Sequence, residues 1–282
     1  MTVNNDTKSA EMTEIAYIFD TETTGKIDSQ LIEAAWLKVV MGADDNPAHY
    51  DERILPVKMY GVTDDYIERF KPSKKIDFGA MATHHIIEDD LTECRPHTEF
   101  KLPDDAQYLI GHNIDFDWKV IGVPDIKRID TLALARCLWR DDDGHAQSAC
   151  AYRIDLDYAQ RATKNAHNAL ADVNICLQIL DHVCHYWHIR SFTELHQLSE
   201  KARIPTIMSF GKHAGLAMDR VPLDYKQWYA RQSDTDPYVI RAMKGEAGLS
   251  DEAIAVLISR GRQSESENSE VSVDDVSVNL NF

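Results

Sequence analysis

Apolar and polar positions along the chain change their period several times, and each change marks a predicted element. Residues 1–13 are polar and aperiodic and read as a flexible leader. At Ile15 the pattern turns apolar, and Ile15-Ala-Tyr-Ile-Phe19 runs straight into Asp20-Thr-Glu-Thr-Thr-Gly25. This predicts a strand that ends in two carboxylates. Leu31–Met41 and Asp51–Lys58 read as two further strands, and the turn residues from Gly42 to Pro47 between them suggest antiparallel neighbours. Gly79–Ile86 reads as short helix and loop. Gln107–Gly111 and Ile126–Asp130 are predicted as short strands, each followed by a helix, at Ile114–Ile121 and Thr131–Trp139. Ala146–Tyr158 reads as one more helix.

From Ala169 a helical stripe is carried by Leu170, Val173, Leu177, Leu180, Cys184 and Trp187 at spacings of three and four. Such a stripe is core. Ser191–Lys201 is a shorter helix, and Arg203-Ile-Pro205 reads as a linker. Beyond it, Met208–Gly215 and Val221–Tyr229 form a compact unit, with a final helix at Asp251–Ser259. Antiparallel strands followed by alternating strands and helices predict an α/β fold, a mixed sheet flanked by helices. The domain division is a leader (1–13), a main domain (14–202), a small C-terminal module (203–260) and an acidic tail (261–282). The Ser, Glu, Asp and Asn bias of the tail predicts disorder.

Charge alters this picture. The chain carries 47 acidic against 30 basic residues, a formal net charge of -17, where a nucleic-acid binder is expected to have a basic footprint. Part of the excess lies in the tail, at Glu265, Glu267, Glu270, Asp274 and Asp275. An acidic body argues against contact-rich duplex binding and permits a metal-bridged hold on one strand end. Five cysteines without a Cys-x-x-Cys pair point to reduced thiols and a cytoplasmic protein. His182-Val-Cys-His-Tyr-Trp-His188 holds soft ligands at short spacing, but no second cluster accompanies it, and packing is the expected role. No apolar run approaches the roughly 18 residues of a membrane span.

Two acids at the end of a buried strand are costly unless a cation holds them. Alternation points Asp20 and Glu22 the same way, roughly 6–7 Å apart. Asp117, in Gly111-His-Asn-Ile-Asp-Phe-Asp117, directly follows a strand and opens a helix, with Asp115 competing for the same role and a helix-start charge as the plain alternative. His167 and Asp172 are five apart, about 140° around a helix. They can serve one site only if His167 sits on the loop before the helix and Asp172 on its first turns. A loop histidine beside a metal cluster suits a general base that is neutral near physiological pH.

The motifs Phe19-Asp-Thr-Glu-Thr-Thr-Gly25, His112-Asn-x-x-Phe-Asp117 and His167-x-Ala-x-x-Asp172 occur in an order that resembles the DEDD exonuclease superfamily in its histidine-containing branch. Ala80-Met-Ala-Thr-His84, Asp130-Thr-Leu-Ala-Leu-Ala-Arg136, Leu138-Trp139 and Phe210-Gly-Lys-His-x-Gly215 look like its exodeoxyribonuclease X group. The resemblance covers about Ile15–Trp187 and Pro205–Tyr229. It implies a ribonuclease H-like five-stranded sheet and a 3′→5′ exonuclease that releases 5′-mononucleotides from DNA ends in repair, recombination or replication.

The cofactors it implies are two Mg²⁺ or Mn²⁺ ions. Asp20 would bridge them, Glu22 and Asp172 would complete the first, Asp117 would hold the second, and His167 would act as base. By similarity, Thr23, Thr24 and Gly25 would hold the terminal nucleotide, and His84 and Ile86 would lie near the terminal bases. Asn113 would be structural or a strand-end contact. Lys212 and His213 are candidates for backbone contact, and Tyr225, Trp228 and Tyr229 for stacking or, more simply, a small core. The implied partner is DNA, single-stranded or with a fraying 3′ end. A replication or repair protein is a candidate partner for the tail, and dimers occur among relatives. Asp115 departs from the usual small or neutral residue. An RNA-trimming enzyme of the same superfamily and a binding module with weak nuclease activity are the alternatives.

Overall fold

The computed structural model of the protein describes residues 14–41, 60–163 and 168–260. Five strands form one sheet in the order β3-β2-β1-β4-β5. They are β1 (Glu14–Thr23), β2 (Leu31–Met41), β3 (Tyr60–Arg69), β4 (Tyr108–Gly111) and β5 (Lys127–Asp130). β1 pairs antiparallel with β2 and parallel with β4. β2 pairs antiparallel with β3, and β4 parallel with β5. This is the mixed α/β sheet of a ribonuclease H-like fold. The sequence-predicted strand at Asp51–Lys58 and the turn before it lie outside the described residues. β3 itself is not evident in the sequence, because Asp64, Asp65, Glu68 and Arg69 break its apolar alternation. It is an edge strand, where polar and charged positions are tolerated.

β1 is central and packs on both faces. Ala16 and Ile18 belong to the core beneath the long helix α6, whereas Tyr17 and Phe19 belong to an aromatic cluster with Leu31, Phe70, Leu109 and Ile114 on the opposite face. The helices are α1 (Phe78–His84), α2 (Asp115–Val120), α3 (Thr131–Leu138), α4 (Gln147–Ile154), α5 (Leu156–Ala162), α6 (Ala169–Trp187) and α7 (Phe192–Ala202), followed by α8 (Leu223–Tyr229) and α9 (Pro237–Met243). Residues 251–260 are also helical. The expected single helix at Ala146–Tyr158 is two helices. Asp155 adopts an extended conformation (φ -151, ψ 110) and its carboxylate accepts from Tyr158 N at 2.9 Å, capping α5. An Asp that satisfies an orphan amide at a helix start outweighs the pull of the surrounding periodicity.

The expected linker at Arg203–Pro205 is also corrected: the Arg203 side chain is only 4% exposed and Ile204 is buried. Ile204 joins Met208, Met218, Val221, Tyr225, Tyr229, Tyr238, Val239, Ala242 and Met243 in a separate small core. Leu257, from the last helical stretch, packs back into the main core. At the histidine-rich end of α6, His182 is stacked on Tyr186 and tilted against Trp139. Among the described residues no helix is long and apolar enough to cross a membrane.

Candidate active site

The alternation of β1 delivers the site. Asp20 and Glu22 continue the face of Ala16 and Ile18 toward α6, where Asp172 lies in the first turn. Carboxylate oxygens of Asp20, Glu22 and Asp172 all lie within 4.8 Å of one another. Thr21 points to the opposite face and meets α2. There Asp117 is 5% exposed, and its Oδ1 accepts from Thr21 N at 3.0 Å and Thr21 Oγ1 at 2.6 Å. Strands β1 and β4 are parallel neighbours, so their C-terminal ends open side by side and the helix after β4 starts at the end of β1. Gly111 makes this approach feasible, because a Cβ there would come within 2.9 Å of Phe19 O.

The electrostatics are one-sided. Burial, followed by repulsion from Asp117, Asp172, Glu22 and Glu33, holds the Asp20 carboxyl well above the usual carboxylate range. Burial and then Asp172, Glu33 and Asp117 push Glu22 up to about 9. Asp117 is pushed up to about 7, chiefly by burial, against the opposing pull of its bonds from Thr21. Four carboxyls crowded this way repel one another until a cation neutralises them. All the donors are hard oxygens, as Mg²⁺ and Mn²⁺ require. The residues therefore fit a divalent-metal site.

Other side chains hold the acids in place. Glu33 is the cross-strand partner of Glu22 and is 1% exposed. Its Oε2 accepts from Arg69 Nε at 2.9 Å, while Oε1 accepts from Ala169 N at 3.2 Å and Asn168 Nδ2 at 3.4 Å. Asn168 caps α6 through Ala171 N at 3.3 Å. Glu33 thus pins the start of α6, one turn before Asp172. Gln147 Nε2 donates to Asp172 O at 2.6 Å. Sequence reading passed over Glu33, although an acid inside the apolar run Leu31-Ile-Glu-Ala-Ala35 was a visible signal. It also passed over Thr21, which strand alternation sets on the face opposite Asp20 and Glu22.

His167, the expected base, lies outside the described residues. Thr23 ends β1, and Thr24 and Gly25 begin the turn after it. Thr24 is buried, and its Oγ1 accepts from Gln30 N at 3.0 Å. Gly25 has φ +151, and a Cβ there would collide with Asp77, at the start of α1. His84 is buried, and its Nδ1 accepts from Ile86 N at 3.0 Å, which leaves Nε2–H to donate to Thr23 O at 3.2 Å. The ring is therefore held neutral, and burial lowers its pKa. His84 braces the end of β1, and Ile86 is buried beside Leu91. Asn113 is exposed with φ +72, and its N–H donates to Asp130 Oδ1 at 2.9 Å. Asp115 does not share the direction of Asp117: it pairs with Arg128 and, at 3.2 Å, with Arg203. His213 packs edge-on against Tyr225, over whose ring Lys212 lies 5.5 Å from the centroid.

The fold thus gathers four carboxyls at the end of the central strand of a mixed five-stranded sheet. No protein-family model matches the chain. It is 25% identical over 208 residues to exodeoxyribonuclease 10 of Escherichia coli strain K12, spanning 72% of this chain and 84% of that protein. The same protein of strain O6:H1 matches equally. Among solved structures, exonuclease X in complex with 5′ overhanging duplex DNA aligns at 23% identity over 60% of this chain and 90% of that one, with a TM-score of 0.44. The zinc-bound E. coli exonuclease I–single-stranded DNA complex aligns at 14% identity over 92% of this chain and 73% of that one, with a TM-score of 0.49. The acid motifs in their order and the exodeoxyribonuclease 10 relative give the chain a likeness to DEDD-type 3′→5′ exonucleases.

Proposed function

We propose that the protein is a divalent-metal-dependent 3′→5′ exodeoxyribonuclease that removes 5′-mononucleotides from DNA 3′ ends, in DNA repair, recombination or replication processing. The observation that carries this reading is the convergence of Asp20, Glu22 and Asp172 within 4.8 Å, with repulsion from Asp117 acting on Asp20. The relative bears the name exodeoxyribonuclease, which favours DNA as substrate. Two Mg²⁺ or Mn²⁺ ions bound there would neutralise charge on both the entering and the leaving oxygen of an in-line displacement. Asp20 would be a ligand common to both ions, Glu22 and Asp172 would help to hold one, and Asp117, oriented by Thr21, would help to hold the other. His167 takes the proton from the attacking water. The metal charge offsets the acidity of the chain where the phosphate sits.

The turn 23–25 and the residues His84 and Ile86 shape the wall beside the terminal nucleotide, and Asn113 stands at the end of β4. In the C-terminal unit a cleft of about 420 Å³ is lined by Gly211, Lys212, Asp224, Tyr225 and Trp228. Lys212 contacts the DNA backbone there, and Trp228, 52% exposed, offers a stacking face. Tyr225 and Tyr229 serve the small core instead. The test is an assay with 5′-labelled DNA and RNA oligonucleotides and Mg²⁺, comparing wild type with Asp20→Ala and His167→Ala. Stepwise shortening of DNA from its 3′ end by wild type alone is expected. Shortening of RNA alone would reassign the substrate, and shortening of neither would remove the exonuclease reading.

A further inference from the structure

Two acids on α2, two residues apart, meet different partners. Asp117 turns toward β1, whereas Asp115 Oδ1 accepts from Arg128 Nη1 and Arg203 Nη1. Arg203 follows α7, and its guanidinium is nearly enclosed, with 4% of the side chain exposed. Its Nε faces Asp130 Oδ2 at 3.8 Å. Asp130 Oδ1 in turn accepts from Asn113 N and Leu132 N, both at 2.9 Å, fixing the turn into α2 and the start of α3. The same Nη1 of Arg203 also donates to the Tyr238 hydroxyl, and Tyr238 donates to Glu200 Oε1 at 2.6 Å. Arg241 closes the set on Glu200 Oε2 at 2.6 Å. Tyr238 and Arg241 belong to α9, in the C-terminal unit.

We infer that Arg203 and Tyr238 are positioning residues that brace the first turn of α2 from the C-terminal unit and so set Asp117 in the proposed metal site. The inference rests on the nuclease reading for its functional consequence but not for its geometry. α2 spans only six residues, Asp115–Val120, so its intrinsic stability is negligible and its orientation depends on tertiary anchors. Thr21 anchors it at Asp117, and Arg203 anchors it one half-turn earlier. Loosening one anchor lets the carboxylate drift, and misplacements of about 1 Å can cost up to about 10²-fold in rate. The C-terminal unit is then part of the catalytic framework as well as a DNA contact.

The experiment uses the full chain as Arg203→Met, Arg203→Lys and Tyr238→Phe, the last removing one hydroxyl while leaving the ring in its core. Amide hydrogen exchange over residues 115–120 of the metal-free protein is compared with exchange in α6. Selective acceleration in α2 is expected, and equal protection in Tyr238→Phe and wild type would overturn the brace. Titration with Mn²⁺ should show weakening of about tenfold in Arg203→Met, less in Tyr238→Phe, with partial rescue in Arg203→Lys. On a DNA oligonucleotide kcat should fall with KM unchanged. A rise in KM with kcat and Mn²⁺ affinity unaltered would mean that the residues act only on DNA hold, and would overturn the inference. A wild type without nuclease activity would sink the nuclease reading alone, since exchange over α2 still decides whether the brace exists.

Discussion

Two acidic clusters lie on either side of α2, and they are built on opposite principles. In one, Asp115, Asp130, Glu200 and Glu246 are met by Arg128, Arg203 and Arg241. In the other, the charges acting on Glu22 are Asp172, Glu33 and Asp117, all carboxyls. The first arrangement is a structural solution, because each acid contributes bonds that hold neighbouring elements. The second is unfavourable as it stands, and a fold retains such a cost where a cation offsets it. Glu33 stands at the border: it is paired with Arg69 yet adds to the repulsion on Asp20 and Glu22.

Neutralising one member should therefore have opposite effects in the two clusters. Asp20→Asn should lower the exonuclease rate by about 10³-fold or more, the equivalent of several kcal/mol of transition-state stabilisation. At the same time it should raise the melting stability of the metal-free protein by about 1–2 kcal/mol. Asp130→Asn, in the arginine-paired cluster, should lower stability instead. Thermal melts in chelator decide this, and a loss of stability in Asp20→Asn would erase the contrast between the clusters.

A smaller effect is expected from Glu33→Ala. It leaves the Ala169 N–H without its acceptor and removes the partner of Arg69, at a cost of about 1–3 kcal/mol. Because the start of α6 carries Asp172, the rate should fall about tenfold even where the protein remains folded. Urea unfolding together with single-turnover kinetics separates the two losses. A rate equal to wild type would leave Glu33 with a purely structural role.

The same contrast predicts a pH dependence of stability. The carboxyl of Glu22 rises from 4.5 to about 9 on folding, and that of Asp117 from 3.8 to about 7. Groups with raised values stabilise the folded state fully below the unfolded value and lose that contribution as pH climbs through the folded one. The metal-free protein should thus become progressively less stable from mildly acidic to mildly alkaline buffer. Divalent cations compete with these protons, so the stabilisation by Mg²⁺ should grow over the same range. Melting curves with and without Mg²⁺ check both signs, and a metal effect that shrinks with rising pH would contradict the assignment.

Much of this contrast was readable in the sequence, for reasons that particular residues make clear. Asp20 and Glu22 were legible because alternation fixes their common face, and Asp172 because α6 starts where its apolar stripe starts. The parallel half of the sheet followed from strand–helix alternation, whereas the turn at Gly42–Pro47 and the strand expected after it lie outside the described residues. What stayed hidden depends on tertiary partners. β3 is too polar to announce itself, and Asp155 splits a helix whose periodicity runs on. Arg203 resembled a linker residue, because no local pattern reveals that Asp115, Asp130 and Tyr238 from distant segments join Glu200 around it. Asp115 and Asp117 were equivalent in sequence, and only the packing of α2 between β1 and Arg203 separates them.

The most direct test of the central claim is a crystal soaked in Mn²⁺, with anomalous difference density calculated around β1. The account predicts peaks between Asp20, Glu22 and Asp172 and between Asp20 and Asp117, and none at Asp115. A crystal with full Mn²⁺ density elsewhere and none among these four carboxylates would contradict it.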